Sequence, residues 1–231
     1  ITKYCDQKGG KTVADYVDQL ILKVIEQHRE RAEQLTEKIY ARPEKGFYEE
    51  NTTNLFADYL ESLGLQVKKN IARTGCISQI KFGDGGPHIA IMAELDALRC
   101  RNHPDADENG YAHCCGHYLQ EGAVYLIAAV LQELKQAEHL SGTVDIIGVP
   151  AEEYIDIDVR EQLKNKGEIR YYSGKQELIF KGYFDHTDIV LMTHNMPEDS
   201  MGGRDVLIGG QSIGFRAKKA TFIGKESHAG A

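Results

Sequence analysis

HIAIMAEL, residues 88–95, decides the fold. The run is apolar almost throughout, of strand length and too short for a helix, so it reads as a strand buried on both faces. TVDIIGV at 143–149 and DIVLMTH at 188–194 have the same texture. Between the first two, residues 118–137 put Ala123, Ile127, Val130, Leu131 and Leu134 at helical spacing. Strand, helix and strand in this order predict an α/β sheet, mostly parallel and flanked by helices.

The flanks extend the pattern. Val13, Val17, Leu20, Val24, Ala32, Leu35 and Ile39 predict a helix over 13–40, stopped before Pro43. A second helix is expected over 52–63, with Asn51 or Thr52 as its cap and Gly64 closing it. Residues 66–71 and 76–82 read as short strands, 101–113 as a loop, 158–166 as a helix, and 212–224 as a strand opening something new.

Composition narrows the function. The 231 residues are 42 % hydrophobic and 27 % charged, an ordinary globular mix. A formal net charge of -8 with only paired lysines for basic clusters argues against nucleic acid or an anionic membrane as partner. No apolar run approaches the ~20 residues of a membrane span, and ITKYCDQKGG lacks the apolar core of a signal peptide. Five cysteines, two of them adjacent, do not form a secreted disulfide pattern, so a reducing cytoplasm is expected.

The chemistry collects where strands end. In open α/β sheets ligands bind beyond the carboxyl ends of strands. Strand 88–95 delivers Glu94 and Asp96, strand 143–149 runs into Glu152 and Glu153, and strand 188–194 ends on His194. HCCGH, 113–117, opens the intervening helix with Cys115 and His117. Cys, His and Glu together suit zinc best, with manganese, cobalt or nickel also accepted. Neighbouring side chains of an extended chain point to opposite sides, so one glutamate is expected to bind metal and the other to serve as general base. That arrangement hydrolyses an amide or ester. Taken singly, each group has a plainer reading: Cys114 as a small buried hydrophobe, Asp96 as a cap for a helix at Ala97, Glu152 and Glu153 as a solvated pair. His113 and His117 stand at i, i+4, but Gly116 weakens a helix between them. A thiol redox protein using Cys114 and Cys115 leaves the glutamates and His194 unexplained.

MAELDAL, HCCGH, GTVDIIGVPAEE and DIVLMTHNMP, in this order, resemble the aminoacylase-type family of metal-dependent peptidases and amidohydrolases. The closest likeness is to its amidohydrolase branch, which includes N-acyl-amino-acid, indole-acetyl-amino-acid and aminobenzoyl-glutamate hydrolases. The resemblance runs from about residue 35 onward. It implies a zinc-exopeptidase-like catalytic domain over 1–208 and the start of a smaller α+β lid and dimerisation domain over 209–231. It implies Cys115, His117, Glu153 and His194 as ligands of two divalent ions, zinc or manganese. Glu152 is then the general base, and His228, often acting across a homodimer, helps polarise the substrate carbonyl. The substrate would be an acyl-amino acid or dipeptide. The pattern departs at Cys114, at Tyr118 and over 154–178, which is longer than usual. A last histidine ligand has no counterpart, so the sequence is expected to be the N-terminal portion of a longer chain with an incomplete site. The alternative is an inactive metal-binding or assembly module on the same fold.

Overall fold

The computed structural model describes residues 13–135 and 140–209, with Gly214, Lys218, Ala220 and 222–225. The chain forms two compact units, residues 1–195 and 196–231. In the first, α1 (Val13–Tyr40) and α2 (Glu50–Glu61) precede β1 (Val67–Ile71), β2 (Gly75–Gly83) and β3 (His88–Glu94). A small hairpin of β4 (Leu98–Arg99) and β5 (Tyr111–Ala112) leads to α3 (His117–Leu134) and β6 (Gly142–Val149). Then come α4 (Ile157–Asn165), α5 (Gly174–Phe180) and β7 (Ile189–Met192). In the second unit the described residues hold one short helix, α6 (Glu198–Met201). The strand expected over 212–224 lies for the most part outside the described residues. No helix among the described residues is long and apolar enough to cross a membrane.

The sheet runs in the order β1-β2-β6-β3-β7. The α/β layering is the expected one, and the sheet is mixed. β6, β3 and β7 are parallel, whereas β1 and β2 join antiparallel, because only a tight turn links β1 to β2. The parallel register sets Glu94 beside Val149 and Met92 beside Met192. The segments following these three strands therefore emerge at one edge.

Two cores sandwich the sheet. Ala93, Val144 and Ile146 pack with Leu35, Ile39, Phe56, Tyr125 and Ala128 of α1–α3. Ala90, Met92, Ile147 and Val149 pack on the other face with Leu178 of α5. Strand alternation sends successive residues to opposite faces, so Glu94 shares the α5 face with Ala90 and Met92. A third cluster of Phe47, Ala151, Leu163 and Ile169 lies where α4 meets the loop after β6.

Two helices differ from expectation. α2 begins at Glu50 with no side-chain cap from its own flank. The Glu44 carboxylate instead accepts from the N–H groups of Asn51 and Thr52, at 3.1 and 2.7 Å. On α3 the most buried face carries His117, Gln120, Glu121, Val124, Tyr125 and Ala128. The stripe of Ala123, Ile127, Val130 and Leu131 is only partly buried. His117 and Gln120 turn inward because their partners Asp96 and Glu94 lie at the sheet edge.

Candidate metal centre

The centre is built on backbone that only particular residues tolerate. Gly116 has φ +87, and a side chain there would collide with that of Asn195. Glycine permits both the left-handed turn and the close approach, so the histidine at the start of α3 can meet the one after β7. α3 begins at His117, so His113 and His117 do not share a helix. His113 is buried, neither ring nitrogen has a hydrogen-bond partner, and burial lowers its pKa to about 4. Cys114 is exposed rather than buried.

The loop after β6 is gripped on every side. Ala151, at φ +50, donates its N–H to the Glu49 carboxylate at 2.7 Å, and its carbonyl accepts from Gly174 at 3.2 Å. Glu152 and Glu153 each donate a backbone N–H to Asp96, at 3.0 Å. The fully buried Arg160 donates to the carbonyls of Glu153 and Tyr172. Asp96 thus caps no helix; it holds the backbone of the glutamate pair.

The side chains converge. Cys115 Sγ lies 3.5 Å from His194 Nε2. His117 is 1 % exposed, and its Nδ1 donates to the Asp96 carbonyl at 2.8 Å. Its Nε2 has no hydrogen-bond partner, yet Glu94, Glu153 and Glu152 carboxylate oxygens stand 3.2, 3.9 and 4.0 Å away. Because the loop turns, the adjacent glutamates reach the same nitrogen. The opposite-sides rule for extended chain does not separate them here. Two donor sets lie within ligating span, Cys115–His117–His194 and Glu94–His117–Glu152, with the donor atoms of each inside 4.8 Å. His228 lies outside the described residues.

These surroundings ask for positive charge. Burial pulls the His117 pKa down, but its nearness to Asp96 and Cys115 and the carboxylate charges outweigh it and push it up to about 12. Burial raises the Glu152 pKa, and the Glu94 charge adds to it. The nearness of His117 pulls the Cys115 thiol down, while burial and Glu153 carry it above its ordinary value. An orphaned, buried imidazole nitrogen among carboxylates, with a thiol and a second imidazole in reach, fits a divalent ion.

Sequence reasoning passed over three contributors. Gln120 takes both edges of Glu94: its Oε1 accepts from Glu94 N–H at 2.8 Å and its Nε2 donates to the Glu94 carboxylate at 3.0 Å. Lys175 contacts Glu94, and Arg160 holds Glu153. No motif marks any of them; Arg160 and Lys175 sit in the 154–178 segment.

A profile of peptidase family M20/M25/M40 matches residues 90–206, half of the chain. One of the subunits of the p-aminobenzoyl-glutamate hydrolase of Escherichia coli (strain K12) is 28 % identical over 177 residues, covering 74 % of this chain and 33 % of that protein. The N-acetylcysteine deacetylase of Bacillus subtilis (strain 168) is 28 % identical over 197 residues, covering 83 % and 47 %. A crystal structure from Bacillus subtilis, described as a dinuclear metal binding peptidase from the M20 family, superposes with a TM-score of 0.61 at 26 % identity, covering 75 % and 44 %. The chain thus spans between 33 % and 47 % of the length of these relatives. The motif order read from the sequence, the parallel edge on which those motifs meet and the profile match all lead to one assignment: the chain belongs to peptidase family M20/M25/M40.

Proposed function

We propose that the whole protein is a metal-dependent hydrolase that cleaves the amide bond of N-acyl amino acids or small peptides. The buried Nε2 of His117, without a hydrogen-bond partner and faced by three carboxylates, carries this reading. Cys115, His117, Glu153 and His194 would hold the metal, as two ions of zinc or manganese. A divalent ion bound here supplies a Lewis acid that polarises a carbonyl and acidifies water. Glu152 takes the proton from the attacking water and returns it to the leaving amine. Burial among other carboxylates raises its proton affinity, which suits that exchange. Asp96 and Arg160 fix the backbone that presents it.

The relatives named for aminobenzoyl-glutamate and N-acetylcysteine share an acylated amino acid as substrate, and that class is proposed here. The catalytic domain is taken to run to residue 208, with a lid from 209 that mediates a homodimer and contributes His228 to the carbonyl. The described thiols Cys76, Cys100, Cys114 and Cys115 are all free, which supports a reducing, cytoplasmic setting.

Glu152→Gln tests the mechanism in the full-length protein. Metal content by elemental analysis should be unchanged, while turnover of a panel of N-acyl amino acids should fall by about 10²-fold or more. Retained turnover overturns the role of Glu152. Metal without turnover in the wild type across the panel favours a binding module instead.

A further inference from the structure

The two donor sets of the centre share one ring. Nδ1 of His117 is committed to the Asp96 carbonyl, which leaves Nε2 to one ion, so a further ion on the other side would rest on the Glu94 and Glu152 carboxylates. The sets also differ in what else they contain. Cys115 and His194 have no cationic side chain bridging them among the described residues, whereas Glu94 and Glu152 do: Lys175 Nζ contacts Glu94 Oε1 and stands 3.5 Å from Glu152 Oε1.

The fold brings this lysine to that spot. Glu94 ends β3 on the face that α5 covers, and Leu178 of α5 packs there against Ala90 and Met92. The start of α5 is pinned where Gly174 N–H reaches the Ala151 carbonyl, one residue before Lys175. Glu94 is 1 % exposed and the Lys175 side chain 30 %. A carboxylate buried that deeply needs a paired counter-charge, and the ammonium is in place to be it.

We propose that Lys175 is a tethered cation that closes the Glu94–His117–Glu152 set to divalent ions, confining metal to the side of Cys115, His117, Glu153 and His194. The 154–178 segment thereby gains a role, because its last helix carries the charge that decides which donors take metal. The inference rests on the metal-centre reading above.

The test counts metal. Wild type, Lys175→Met and the Lys175→Met/Glu94→Gln double variant are equilibrated with zinc or manganese, desalted and assayed by elemental analysis and calorimetric titration. The expected result is one more equivalent per chain in Lys175→Met than in wild type, with the wild-type number restored in the double variant. The same number and affinity in wild type and Lys175→Met overturns the proposal. Should Lys175→Met fail to fold without metal, refolding yield is followed against zinc concentration. Rescue that disappears when Glu94→Gln is added supports the proposal, and absence of rescue overturns it. Metal that wild type loses on Cys115→Ser, beside an unaltered Lys175→Met, rejects this inference and leaves the metal centre standing. No metal in wild type rejects both.

Discussion

Glu49 is fully buried, and its carboxyl accepts from the Ala151 N–H and the Thr74 hydroxyl. Burial, with the Asp96 charge added, pushes its pKa up to about 8, and the two hydrogen bonds offset that only in part. The group is therefore protonated in the fold over a range in which the unfolded chain, near the ordinary ~4.3 of a glutamate, is ionised. Its contribution to stability is complete below that ordinary value and is lost as pH rises towards 8. Glu49→Gln imitates the protonated acid. Urea unfolding from pH 5 to 8 should cost the wild type on the order of a few kcal/mol more than the variant, and equal slopes would contradict the account. At this scale the sequence was legible wherever chemistry came as a motif. Cys115, His117, Glu152, Glu153 and His194 stood out because each followed a strand or opened a helix. Glu49, Arg160 and Lys175 did not, because an isolated charge in an unremarkable segment carries no pattern, and its meaning comes from the partner that tertiary structure brings to it.

The elements divide in the same way. The apolar runs that became β3, β6 and β7 could be read directly, since each is continuous and too short for a helix; burial on both faces holds for β3 and β6, whereas β7 is exposed along its length. α3 was located, but its buried face was not: a rule that puts apolar residues inside cannot anticipate Gln120 and Glu121 facing inward. α5, short and flanked by glycine and aromatic residues, lacked the length for periodicity to register. Yet α5 positions both Lys175 and the Ala151 turn. Its first residue explains how closely it approaches, since a Cβ on Gly174 would lie 1.7 Å from the Pro150 carbonyl oxygen. Gly174→Ala must push the helix away from the loop. Thermal unfolding should show a loss of about 1–3 kcal/mol, in the range of overpacked interiors, with weaker zinc binding by titration. Unaltered melting would mean that α5 is not anchored as described.

For the molecule as a whole, the two edges of the sheet are exposed and differ in polarity. β1 lies at one edge; at the other, Ile189, Val190, Leu191 and Met192 of β7 are each 42–50 % exposed, an apolar border of the kind proteins ordinarily cover. The centre itself is secured differently. The backbone of residues 151–153 lies in a loop, outside any strand ladder, but its N–H groups end on buried carboxylates 102, 56 and 57 positions away along the chain. Loops ordinarily exchange their amide protons quickly because they open locally. These three cannot open without parting segments that the two cores hold together, so their exchange should be as slow as that of the central strands β3 and β6. Deuterium uptake resolved to single amides would show this, and rapid uptake at 151–153 would mean that the turn breathes on its own. Slow uptake would make those protons a clock for the opening of the entire sheet, read from the place where the chemistry is carried out.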